Sequence, residues 1–283
     1  MNYVDFFGKK VSKLIIGDNP MTGHSYITDQ ITGLEMYNFY STEKIKETLW
    51  HMQELGYNTM LALCNPFMVK ILRDFEYEGG NIQIIWQPFV PMNQYASMND
   101  MLKVKNTIGI YHQGTTTDYL FETDKCDEIL HMVKEYRGVG VPVGLGTHRP
   151  DVIEKSEREG WDVDFYVACL HNLRRKREGE PSGFLTGKTK DGIKFWTEDR
   201  PIMLDTLQGI TKPIIAFKIF SGGKMLINEE PETKKEIIKG VYEEVFTRLK
   251  PDDFAAVGVF QRDSDQLKEN AELYDEWYNS KNK

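Results

Sequence analysis

Short runs of β-branched and aromatic residues recur along the whole chain, at Lys13–Gly17, Tyr57–Leu63, Ile82–Trp86, Thr107–Tyr111, Pro142–Gly146, Val163–Cys169, Pro213–Ile219 and Phe254–Phe260. Apolar runs of this length predict eight buried strands. Between them the apolar positions change to helical spacing. In STEKIKETLWHMQELG, Ser41 or Thr42 can cap the N-terminus, Ile45, Leu49, Met52 and Leu55 recur on one face, and Gly56 ends the run. Strands that alternate with helices predict right-handed βαβ units on a parallel sheet, and eight such units predict an α/β fold of the (β/α)8 TIM-barrel type. An open doubly wound sheet is the alternative; it is disfavoured because GDNPMTG, not GxGxxG, follows the first strand. Residues Tyr3–Val11, with Gly8-Lys9 as the turn, are expected to form a hairpin that plugs the bottom of the barrel.

The 283 residues suit one TIM-barrel domain spanning 1–283, and 40% hydrophobic residues are enough for a sizeable core. A net charge of −8 argues against a broad nucleic-acid footprint and leaves a small molecule as the expected partner. Cys64, Cys126 and Cys169 are too few and scattered for a disulfide framework. MNYVDFFGKK lacks the apolar core of a signal peptide, so a cytoplasmic location is expected. Apolar runs such as LIIG and PIIAF are of strand length, and no membrane span is expected.

One connection breaks the rhythm. The long loop 172–197 after the sixth strand carries Arg174, Arg175, Lys176 and Arg177, a basic cluster in an acidic protein. It reads either as a solvated charge run or as a lid over an anionic ligand.

Four of the six histidines, His24, His112, His148 and His171, fall just past the ends of predicted strands, whereas His51 and His131 lie in predicted helices. Loops after the strands of a barrel build its active site, so these four converge on one face. His112, His148 and His171 follow the neighbouring fourth, fifth and sixth strands. They are expected to act as a general acid–base and substrate-binding group. With a carboxylate such as Asp18 or Asp118 they would alternatively suit Zn or another divalent metal, although no H-x-x-x-H spacing supports this. Lys218, at the end of the seventh strand, is expected to give electrostatic support or to act as a base or Schiff-base former. Strand alternation admits either Lys218, or Phe217 with Ile219, to the interior. Asp18 and Asn19 stand at the mouth, and Cys169 is a nucleophile or an apolar filler. Tyr111 could donate a proton, although His112 is expected to take the inward position. Gly222-Gly223, flanked by Lys224 and Arg262 and followed by a helix N-terminus, predict an anion site.

Two stretches resemble the aldo/keto reductase superfamily: FFGKKVSKLIIGDNP at the start, and AFKIFSGGK with VGVFQRDSDQLKENAEL at the end. The resemblance implies that His112 is the catalytic histidine at the end of the fourth strand. It also implies that Ser221, Gly222, Gly223 and Lys224, with Arg262, Ser264, Gln266 and Asn270, hold the phosphates of NADP. The family's aspartate and tyrosine are missing where Cys64 and Asn65 stand, and Gln87 occupies the place of its lysine. The expected function is therefore a diverged aldo/keto reductase-like enzyme on a small polar or phosphorylated ligand, using His/Lys acid–base catalysis with or without a metal. An atypical NADP-dependent oxidoreductase and a non-catalytic metabolite-binding barrel are the alternatives.

Overall fold

At the N-terminus, strand β1 (Tyr3–Phe6) pairs antiparallel with β2 (Lys9–Ser12) in the computed structural model, which describes residues 1–88, 98–101, 103–174 and 194–281. The turn falls on Phe7-Gly8, one residue earlier than expected. Phe6 pairs with Lys9, and Phe7 and Gly8 have φ of 50° and 82°. A two-residue hairpin turn with positive φ at both central positions matches strand twist, and glycine takes the second position without strain.

Eight parallel strands then close into a barrel: β3 (Leu14–Gly17), β4 (Thr59–Leu63), β5 (Gln83–Gln87), β6 (Thr107–His112), β7 (Val143–Thr147), β8 (Phe165–Cys169), β9 (Ile214–Phe217) and β10 (Phe254–Gly258). β10 returns to pair with β3, from Ala255–Leu14 to Gly258–Gly17. The surrounding helices are α1 (Gly33–Phe39), α2 (Thr42–Glu54), α3 (Pro66–Tyr77), α4 (Met98–Met101), α5 (Gly114–Glu122), α6 (Cys126–Arg137), α7 (Pro150–Glu159), α8 (Asp199–Gln208), α9 (Pro231–Arg248) and α10 (Gln266–Lys281). In α2 the Ser41 hydroxyl accepts the Lys44 N–H, and Ile45, Leu49 and Met52 are buried as their spacing requires. Asn65 caps α3 by accepting the Met68 N–H at 2.8 Å. Among the described residues no helix is long and apolar enough to cross a membrane.

Strand alternation divides the core into two layers. Ile15, Leu61, Ile85, Ile108, Tyr111, Phe165, Val167, Ile215, Phe254 and Ala256 fill the barrel, while their neighbours along the strands pack against the helices. Phe6 enters from the hairpin and sets its ring edge-on to Phe165 and Phe254, 5.1 and 5.8 Å away, so the bottom is sealed by a side chain. The open end, where the strands finish, is left for chemistry. Residues 175–193 of the long loop, with Arg175, Lys176 and Arg177, lie outside the described residues.

Candidate active site

His148 follows β7 and turns its ring toward the barrel axis, edge-on to Phe217 at 5.4 Å. Its Nδ1 is 2.8 Å from Asp118 Oδ2 on α5, and its Nε2 is 2.9 Å from Lys218 Nζ. A carboxylate only accepts, so Nδ1 carries the proton and Nε2 presents a lone pair to the lysine ammonium. Burial and then the Lys218 charge push the His148 pKa down to about 4, so the ring is neutral near pH 7. Asp118 also accepts the Thr147 hydroxyl and the His148 backbone N–H, which fixes the carboxylate beneath the imidazole. The sequence had marked Asp118 as a carboxylate for a metal. In the structure it orients a histidine.

Lys218 reaches this position by leaving the strand. β9 stops at Phe217, which packs against the barrel interior, and Ile219 lies on the helix side. Lys218 itself has φ 56°, a left-handed backbone that breaks the alternation assumed from sequence. Its ammonium then lies over the rings of Tyr26 and Phe217, 4.8 and 5.0 Å from their centroids.

His112 is not part of this group. Its ring faces the helix layer, 6.3 Å from the ring of Tyr136 on α6, and its Nδ1 is 2.7 Å from the Thr117 hydroxyl on α5. Its Nε2 is buried with no hydrogen-bond partner among the described residues, and burial pushes its pKa to about 4. The inward position at the end of β6 belongs to Tyr111. Gly146 of the adjacent strand leaves room for this ring: a Cβ there would lie 2.9 Å from the His112 carbonyl oxygen, 3.0 Å from Gly114 N and 3.0 Å from Tyr111 Cδ2. Tyr111 donates its hydroxyl proton to Gln87, which stands where the aldo/keto reductase resemblance places a lysine.

Across the mouth, Asp18 follows β3 and is buried, with one oxygen accepting the Leu63 N–H at 2.6 Å. Burial raises its pKa to about 7, so this carboxyl can hold or release a proton near neutrality. Asn19 donates to the Tyr26 hydroxyl at 3.1 Å. His24 stays on the loop surface beside the Thr22 hydroxyl. Cys169 is buried, and desolvation holds its thiol near a pKa of about 11, which argues for a filler over a thiolate nucleophile.

The third histidine of the set, His171, makes a different pair. Its Nδ1 is 3.1 Å from the Trp196 carbonyl, and its Nε2 is 3.0 Å from Ser221 Oγ. The carbonyl only accepts, so Ser221 donates to Nε2. Burial and then Arg200 push the His171 pKa to about 4. Phe195 covers the ring edge-on at 5.1 Å and also meets Tyr26 at 5.9 Å. Sequence reasoning missed Tyr26, Phe195 and the Trp196 carbonyl. They lie on loops whose approach to the mouth has no local signature.

Among the described residues no group of three His, Cys, Asp or Glu side chains is placed to hold a metal, and the expected set of His112, His148 and His171 is split between the two faces of the barrel wall. The groups that the resemblance assigns to NADP phosphates are engaged within the protein. Ser221 bonds His171, and the N–H groups of Ser221, Gly223 and Lys224 donate to the carbonyls of Lys218, Phe220 and Ser221. The Lys224 ammonium lies 5.9 Å from the Phe195 ring centroid. Arg262 is clamped by Asp263 and Glu35. Gln266 holds the Phe260 N–H, and Asn270 links Tyr242 to the Gln266 carbonyl, while Ser264 is exposed on the turn before α10. The first N–H groups of that helix are taken by Gln261 and Asp265 side chains. A dinucleotide phosphate bound here would have to displace these contacts.

No protein-family model matches the chain, and no curated protein matches it. Solved structures do. An aldo-keto reductase from Bacillus halodurans in its holo form superposes with TM-score 0.58 at 13% identity, over 96% of this chain and 90% of that one. The dihydropteroate synthase of Yersinia pestis, in complex with a sulfonamide drug, gives 0.55 at 10% identity over 99% of both chains. A truncated 3-deoxy-D-arabino-heptulosonate 7-phosphate synthase from Thermotoga maritima gives 0.52 at 13% identity, over 99% of this chain and 92% of that one. At such identities the likeness is one of fold, and the chain is a TIM barrel of the kind these enzymes share.

Proposed function

We propose that the protein is an enzyme of diverged chemistry on an aldo/keto reductase-like barrel, and that it moves a proton on a small anionic substrate carrying a carbonyl group. The observation that supports this reading is the chain Asp118–His148–Lys218 at the mouth of the barrel. Asp118 fixes the tautomer; when the Lys218 ammonium turns from His148 Nε2 to the substrate carbonyl it frees the Nε2 lone pair, so that neutral His148 is the base and Lys218 stabilises the oxyanion that forms when a proton leaves the carbon beside the carbonyl. Asp18, with its pKa near 7, is the second group that can take or return a proton. The Lys218 ammonium, whose charge acts on both His148 and His171, fits an anionic ligand.

Proton transfer to carbon is read by solvent deuterium exchange. In D2O, the protein is expected to wash deuterium into one C–H of a member of a panel of keto acids and phosphorylated aldoses and ketoses, followed by proton NMR. His148→Gln and Lys218→Met are each expected to slow that exchange by about 10²–10⁴-fold. Exchange that survives His148→Gln at full rate would remove the proposal.

A further inference from the structure

We propose that Ser221 is a nucleophile activated by His171 and oriented through the Trp196 carbonyl, and that it accepts the acyl group of a small ester or thioester. The inference goes beyond proton transfer because its nucleophile and base, Ser221 and His171, lie on the loops after β9 and β8 and share only Lys218 with that reading; its test reads acylation of Ser221, not C–H exchange, so the two can fail separately. Three observations carry it. The hydroxyl and the imidazole are within hydrogen-bond reach at 3.0 Å, and the ring's other nitrogen is held by a third group at 3.1 Å, which is the arrangement an activated serine requires. The carbonyl forces the proton onto Nδ1, so the lone pair of Nε2 faces the serine and the ring is ready to receive its proton. Ser221 also sits at φ 52°, in a left-handed backbone that glycine adopts without strain, and Gly222 and Gly223 follow it. A serine held in such a conformation on the catalytic face of a barrel points to a functional role for its side chain.

The surroundings suit acyl transfer. Gly222 packs against Tyr26, whose ring also lies under the Lys218 ammonium, so the serine loop and the lysine meet on one aromatic side chain. The lysine's charge reaches His171 as well. In the step proposed, a lone pair of Ser221 Oγ forms a bond to the acyl carbon as the hydroxyl proton passes to His171 Nε2. The carbonyl π pair moves onto oxygen, where the Lys218 charge stabilises it. When the pair returns, the bond to the leaving group breaks, and the departing alkoxide or thiolate takes the proton from His171. Water then attacks the acyl-serine by the same route, which releases the carboxylic acid and restores the hydroxyl.

The test uses p-nitrophenyl acetate on the full chain at neutral pH. A burst of p-nitrophenol is expected, together with one acetyl group that peptide mapping places on Ser221 and hydroxylamine removes; an acetyl on Lys218 would resist hydroxylamine. Ser221→Gly relieves the left-handed backbone, so it should fold, as circular dichroism will show, and carry no acetyl. His171→Gln is expected to slow acetylation by about 10²-fold or more. Folded wild-type protein that acquires no acetyl on Ser221, or one whose acetylation rate is the same in His171→Gln, overturns the proposal.

Discussion

His148 Nε2 and Lys218 Nζ lie 2.9 Å apart and join the ends of β7 and β9 across the strand between them. The contact is favourable because the lysine donates into a lone pair, and that lone pair exists because Asp118 holds the proton on Nδ1. Asp118→Asn reverses this. Its amide can donate to Nδ1, the ring proton then moves to Nε2, and two donors face each other at Lys218. Turnover in the exchange assay is expected to fall by about 10²-fold or more while the fold persists. An unchanged rate would show that the tautomer does not matter.

Acid is expected to destabilise the protein. His112, His148 and His171 each have a folded pKa of about 4, below the ordinary 6.5, so the unfolded chain binds up to three more protons as pH falls between these values. Their stabilising contribution is present above 6.5 and is lost toward 4. Asp18 opposes them: with a folded pKa of about 7 against an ordinary 3.8, it keeps one proton that the unfolded chain releases. The balance is two protons, and at about 1.4 kcal/mol per proton and pH unit stability should drop by up to about 3 kcal/mol per pH unit. Urea midpoints measured from neutral pH downward check the sign, and a midpoint that rises on acidification would refute it. Asp18→Asn should steepen the fall and raise stability in mild alkali.

Arg174, only 3% exposed, anchors the start of the long loop to Glu122, which it shares with Arg149. Glu122→Ala strands a buried guanidinium. Chemical denaturation is expected to show a loss of about 3–5 kcal/mol, because breaking one partner of a buried pair leaves an uncompensated charge. A loss below about 1 kcal/mol would mean that the pair behaves as an exposed one.

Reduction of generic aldehydes and ketones by NADPH is expected to be negligible. Gln87 stands in place of the lysine that the reductase resemblance calls for, its aspartate and tyrosine are missing where Cys64 and Asn65 stand, and Arg262 is already bound by Asp263 and Glu35. NADPH consumption at an ordinary enzymatic rate, roughly 1–10³ per second, would reinstate the oxidoreductase reading.

The barrel was legible because each strand is a short β-branched run bounded by turn residues, and the bottom hairpin because Gly8 marks its turn. The faces of residues at the strand ends were not. Tyr111, not His112, points inward, where Gly146 in the next strand leaves room, and the left-handed backbone of Lys218 follows no alternation rule. Asp118 stood out in the sequence only as a carboxylate for a metal; its link to His148 arises when α5 docks against β7. The C-terminal loops show the reverse case. Their residues resemble phosphate ligands in sequence, yet Gln266 accepts the Phe260 N–H, and Asn270 donates to the Gln266 carbonyl and accepts from Tyr242.

The claim that His148 and Lys218 form the acid–base centre is tested most directly by nitrogen-15 NMR of the His148 imidazole, followed from neutral pH downward. The account predicts a neutral ring protonated on Nδ1, with an unprotonated Nε2 that titrates only near pH 4. An imidazolium at neutral pH, or a neutral ring protonated on Nε2, would contradict it.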